Sequence, residues 1–168
     1  MIKSLFTIGT AAALCLSISA CGTTEVTPNP DYETYISQGE VFKHLSLTDI
    51  HGQTINLRDQ PSKKLVILFA TWCSDSQRLF QQLNASKLIE DKTLTILAIG
   101  REENTDTLTQ FAQEYNVTFP LISDEKRTIY SQYANKGVPR LILLDEKNRV
   151  VNTLIGETDN IIEQVMWN

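Results

Sequence analysis

The segment Leu65-Val66-Ile67-Leu68-Phe69 contains no polar position. A strand built from it has no face to offer solvent, so it must be covered on both sides. A few residues later, after Trp72-Cys73, Leu79, Phe80 and Leu83 fall at helical spacing, which predicts an amphipathic helix over 74–83. Ser74 or Asp75 is available there to accept the free amides of the first turn. A buried strand that passes the chain directly into a helix through Trp72-Cys73 restricts the fold to the α/β class.

The other segments support that class. Residues 42–57 alternate apolar and polar positions around Asp49-Ile50-His51-Gly52, a hairpin pattern with glycine available for a positive-φ turn. Residues 94–99 read as a second buried strand. Residues 106–115 read as a helix with Leu108, Phe111, Ala112 and Tyr115 on one face. A short strand is expected over 118–122 and a short helix over 126–133. A hairpin is expected from 140–144 and 150–155 about the polar turn 145–148, and a closing helix over 159–167 capped by Thr158. The expected architecture is one α/β domain: a central mixed β-sheet flanked by helices, with an N-terminal β-hairpin extension. The chain has 168 residues and a formal charge of -5, with no cluster of lysine or arginine, which excludes a nucleic-acid partner.

The N-terminus has a different character. Lys3 precedes an apolar, small-residue run from Leu5 to Ala20 that ends at Cys21. The run is shorter than the roughly 20 strongly apolar residues of a spanning helix and reads as a cleaved targeting segment. Ile18-Ser19-Ala20-Cys21 resembles the bacterial lipobox. This implies a signal peptide over 1–20, lipidation of Cys21, a tether over 21–40 and a folded domain over 41–168. The expected location is the bacterial cell envelope, with membrane attachment through the lipid at Cys21; Gly22 in place of an aspartate points to the outer membrane. With Cys15 in the signal and Cys21 lipidated, Cys73 is the only unmodified thiol, and no intrachain disulfide is available.

Over residues 41–168 the chain resembles the thioredoxin-like (redoxin) superfamily, in particular its exported, membrane-tethered branch. The resemblance rests on the hairpin 45–57, on Leu65 to Cys73 with its Trp72-Cys73 ending, on Phe119-Pro120, and on Gly137-Val138-Pro139 before a strand. It implies a cis Val138-Pro139 peptide facing Cys73. It also implies that an extended substrate docks by strand-like hydrogen bonds beside Val138 and Pro139. A helix N-terminus carries unpaired amides and partial positive charge, an arrangement that favours thiolate as the nucleophile. Trp72 borders this substrate site and is expected chiefly to pack beside the active loop.

Cys73-Ser74-Asp75-Ser76 departs from the dithiol Cys-x-x-Cys pattern, with Ser76 at the resolving position. A serine can donate a hydrogen bond to a Cys73 thiolate, but it cannot expel a covalently bound partner, so an external reductant is required. Asp75 beside the sulfur opposes the helix dipole, and Ile67 replaces the buried acid of thioredoxins proper. Arg140 follows Pro139 where peroxiredoxins place an arginine, and would there stabilise a thiolate and a polarised peroxide oxygen; Ala70, however, stands where they carry threonine. Three functions follow: monothiol thiol-disulfide exchange with exported proteins or small thiols, a non-catalytic peptide-binding module, or a one-cysteine peroxidase. No cofactor is implied. His44 and His51 form no metal spacing with Cys73, and Glu102-Glu103 reads as a solvated loop.

Overall fold

A computed structural model describes residues 31–167. The expected signal peptide, the expected lipidation site Cys21 and the first part of the expected tether lie outside the described residues. A small antiparallel pair, β1 (Ser46–Thr48) and β2 (Thr54–Asn56), is joined through Gly52 at φ +78°. The main sheet is formed by β3 (Lys63–Phe69), β4 (Leu94–Arg101), β5 (Leu121–Asp124), β6 (Arg140–Leu144) and β7 (Val150–Ile155). Its order is β5-β4-β3-β6-β7, with β5, β4 and β3 parallel and β6 and β7 antiparallel, which makes it the expected mixed sheet. Helices α1 (Ser74–Asn84) and α2 (Thr105–Glu114) are the right-sized covers. Among the described residues no helix is long and apolar enough to cross a membrane.

The apolar strand β3 lies at the centre because it feeds two cores at once. Leu65, Ile67 and Phe69 point towards α1 and α2, where Phe69, Phe80 and Phe111 meet with ring centroids 4.7 to 5.2 Å apart. Val66, Leu68 and Ala70 point the other way, onto a cover without a full helix: Leu47 and Leu57 of the hairpin segment, with Phe42, Tyr130 and Tyr133. Phe42 stacks on Tyr133 at 4.7 Å, and the Tyr133 hydroxyl accepts the amides of Lys43 and His44 while standing 2.7 Å from His44 Nδ1. Burial pushes the Tyr133 phenol pKa up and the His44 imidazole pKa down, so both groups are favoured neutral.

Several local expectations are corrected. The helix over 126–133 is a single 3-10 turn, Tyr130–Gln132: Arg127 takes φ +59° and the Asp124 carboxylate holds the amides of Ile129 and Tyr130, so no helical ladder propagates. The closing helix is likewise a 3-10 turn, Ile161–Gln164. Its N-cap is Asn160 rather than Thr158, and beyond it Trp167 Nε1 donates to Leu144 O, drawing the chain along the sheet end. The strand after Phe119-Pro120 begins later, at Leu121.

The packed region also reaches back past residue 41. Ile36 is buried, Thr34 bridges Ala134, Tyr35 N donates to Tyr133 O (2.8 Å), and Gly39 N donates to Val150 O (2.8 Å). Residues 31–40 therefore form an arm laid on the domain. A sheet-like bridge and one buried isoleucine leave no periodic signature, which is why composition alone reads this stretch as linker.

Candidate functional site

The loop leaving β3 delivers Cys73 as the N-cap of α1, with its backbone extended at φ -85°, ψ 121° and its carbonyl accepting from Gln77 N at 3.0 Å. No side chain caps this helix; Ser74 and Asp75 lie within its first turn, and Asp75 turns to Arg78 at 2.5 Å. Cys73 is half-buried, and its Sγ donates to Val138 O at 3.3 Å. The Val138-Pro139 peptide is cis, so the two motifs expected to face one another do so.

Neighbours on two sides hold the proline loop. Gly137 takes φ +83° and its carbonyl accepts the Tyr130 hydroxyl at 2.6 Å. The Gly156 amide donates to Pro139 O at 2.9 Å, and a Cβ at Gly156 would lie 2.4 Å from Pro139 Cγ, so only glycine lets β7 end this close to the ring.

The other expected site residues divide. Ser76 is fully buried one turn into α1, but its Oγ accepts from Ala70 N (3.4 Å) rather than donating to Cys73. Trp72 does not pack beside the loop: it is 66% exposed, at the edge of a shallow depression shared with Gln110 and Glu114 of α2. Arg140 is neither aimed at the sulfur nor solvated. It is 3% exposed, and its guanidinium donates to Gly137 O and Lys136 O of the proline loop and to Thr34 Oγ1 and Glu33 O of the arm. Those bonds tie the arm to the loop.

One residue is added. Glu103 is 5% exposed, and its Oε1 accepts both the Thr71 amide (2.8 Å) and the Thr71 hydroxyl (2.7 Å), while Gln77 Nε2 donates to Thr71 O at 2.8 Å. The residue two before Cys73 is thus clamped on its amide, hydroxyl and carbonyl. Gly100 leaves the space for this, since a Cβ there would lie 3.1 Å from the Glu103 Cβ and 2.6 Å from Leu108 Cδ2. The acidic pair does not read as buried because its two members diverge: Glu102, at φ 60°, turns outward to Arg101 and lets Glu103 turn in.

A half-exposed thiol at a helix start, opposite a cis proline and beside the carboxyl ends of parallel strands, is the arrangement of a thiol-reactive redoxin site. Residues 38–153 match the AhpC/TSA family, well over half of the chain. The chain belongs to the AhpC/TSA family. Among curated relatives it is 26% identical over 121 residues to the thiol-disulfide oxidoreductase ResA of Bacillus cereus (strain ZK / E33L), covering 71% of this chain and 70% of that protein. Among solved structures, the thioredoxin domain of thiol-disulfide oxidoreductase BVU-2223 from Bacteroides vulgatus superposes with TM-score 0.63 at 20% identity, covering 77% of this chain and 97% of that one. Peroxidoxin BcpB from Mycobacterium tuberculosis superposes with TM-score 0.62 at 16% identity, covering 77% and 93%. The chain is thus a redoxin with a thioredoxin-like fold, distantly homologous to thiol-disulfide oxidoreductases.

Proposed function

We propose that this redoxin is a monothiol thiol-disulfide exchange protein of the bacterial cell envelope. The observation that carries the reading is the pairing of a half-exposed Cys73 at the start of α1, 3.3 Å from Val138 O, with a buried serine at the position one turn along. In the forward step the Cys73 thiolate attacks one sulfur of a partner disulfide. A bond forms between Cys73 Sγ and that sulfur, the partner S–S bond breaks, and the second sulfur leaves as a thiolate. Ser76 has no sulfur with which to repeat the attack, so the mixed disulfide lasts until an external thiol cleaves it and takes up the partner sulfur. Substrates are exported disulfide proteins or small disulfides, and the reductant is an external thiol. Arg140 weighs against the peroxidase alternative, since its donors are engaged by the arm and the proline loop.

The test is incubation of the reduced domain with oxidised glutathione, followed by intact mass and peptide mapping. One adduct is expected, at Cys73, stable until dithiothreitol is added and absent from Cys73→Ser. A wild-type protein that gains no mass while its thiol remains titratable would instead favour the non-catalytic binding module.

Membrane attachment belongs to the same proposal, supported by Lys3, the apolar run and Ile18-Ser19-Ala20-Cys21. Several acyl chains on one residue hold a small domain stably, because each buried methylene contributes about 0.8 kcal/mol. Metabolic labelling with a fatty acid should mark the full-length protein and miss Cys21→Ala; equal labelling of the two would remove the anchor.

A further inference from the structure

Tyr32 lies on the arm and borders the proline loop. Its ring lies against Gly137, so close that a Cβ on that glycine would be 3.1 Å from Tyr32 Cε2 and 3.2 Å from Cζ. The Arg140 guanidinium carbon stands 5.3 Å from the ring centroid and Lys136 Nζ 5.8 Å from it, both within cation-π range. Interaction with the Glu157 carboxylate, with smaller contributions from burial and from the charge of Asp75, raises the Tyr32 phenol pKa. Glu157 follows Gly156, whose amide donates to Pro139 O. The ring therefore touches the proline loop at Gly137, the residue before Val138, whose carbonyl accepts from Cys73 Sγ.

Its neighbours in the arm are held as firmly. Lys136 Nζ pairs with Asp31 at 3.2 Å and Asn135 Nδ2 donates to Asp31 O; Glu33 N donates to Asn135 Oδ1, and Arg140 reaches Thr34. With fixed contacts on both sides, Tyr32 is a standing wall rather than a flap. It is only half-buried, so part of an aromatic surface is left at the rim of the Cys73 site.

On the reading of Cys73 as a thiol that exchanges with disulfides, we infer that Tyr32 is a specificity-determining residue that selects extended peptide disulfides carrying an apolar side chain beside the cysteine. The geometry supplies the reason. A peptide whose cysteine is bonded to Cys73 and whose backbone runs along Val138 advances about 3.3 Å per residue, which brings a flanking residue to Gly137. Gly137 has no side chain to meet it, and the Tyr32 ring provides the apolar surface there instead. Glutathione brings no apolar side chain to that place. The exchange step itself is unchanged: one S–S bond is broken, one is formed, and a thiolate leaves.

The experiment compares second-order rates of adduct formation at Cys73 for oxidised glutathione and for the disulfide-linked dimer of a short peptide with leucine and phenylalanine flanking its cysteine. Tyr32→Ala should slow the peptide reaction about three- to tenfold, the range that one aromatic contact accounts for, and leave the glutathione rate within about twofold of wild type. Tyr32→Phe, which keeps the ring and loses only the hydroxyl, should retain most of the peptide rate. Equal losses on both disulfides would reduce Tyr32 to a structural support of Cys73, a faster peptide reaction would make it a cover, and no change would remove it from the site; each outcome overturns the inference. Thermal melts of the variants check that the arm deletion of one ring leaves the domain folded. A wild-type protein that reacts with glutathione but shows no preference between the disulfides also overturns the inference while the exchange reading stands, whereas a wild-type Cys73 inert to both overturns the two together.

Discussion

Ser76→Cys is expected to convert a long-lived adduct into a transient one and to raise disulfide reductase activity above that of the natural chain. Position 76 is one turn after Cys73, and residues separated by three positions lie on the same side of a helix, with Cβ atoms roughly 5–6 Å apart. The Ser76 hydroxyl is buried and engaged only by a long contact to Ala70 N at 3.4 Å, so a sulfur replaces it without displacing a strong bond. A thiol in the same chain acts at an effective concentration of about millimolar or more, even through a flexible connection. Against roughly ten micromolar external thiol, the adduct should therefore decay on the order of a hundredfold faster. The measurement is the decay of the glutathione adduct by mass spectrometry, together with turnover of a disulfide substrate. Unchanged decay in a folded Ser76→Cys protein would show that position 76 is not the resolving position, and would turn the assignment towards the binding module.

What the sequence reveals of this molecule depends on how local the deciding interaction is. Leu65 to Phe69 announces a doubly covered strand because burial on both faces removes every polar residue from one short window, and β3 is that strand. The hairpin of β1 and β2 and that of β6 and β7 carry their turn residues within a few positions of their apolar ones, and both form where expected. Cys73 and Val138-Pro139, 65 residues apart, meet as the family resemblance implies. The failures share the opposite property. Arg140 is directed by Thr34 and Glu33, more than a hundred residues away in the chain, and nothing near Pro139 foretells an arm on that face. Trp72 looks like packing because tryptophan usually is, yet the core beside the active loop is already filled by Phe69, Phe80 and Phe111. The last helix fails because a short segment pulled down by Ile161, Val165 and the Trp167 bond to Leu144 follows the sheet end instead of its own periodicity.

Glu103→Ala is expected to cost stability and Cys73 reactivity together, and Glu103→Gln is expected to restore most of both. The carboxylate uses a single oxygen, Oε1, to accept the amide and the hydroxyl of Thr71. Alanine removes that acceptor from a position 5% exposed, where little water can take its place; the loss of hydrogen bonds to a charged group suggests destabilisation of about 2–3 kcal/mol. The loop between β3 and α1 then loses two of its three fixed points, with only Gln77 still holding the Thr71 carbonyl. Because Cys73 caps the helix through its backbone and not its side chain, the sulfur's place opposite Val138 depends on that loop. Glu103 acts through Thr71 and is a positioning residue. Glutamine keeps an oxygen at the same reach but no charge, so the pair of variants separates geometry from electrostatics. If position alone matters, the alkylation rate of Cys73 followed across pH falls in Glu103→Ala and returns in Glu103→Gln with an unshifted profile. A profile that shifts in both variants would instead identify the charge as the active property, and a rate unaffected in Glu103→Ala despite its lower melting temperature would leave Glu103 a purely structural clamp.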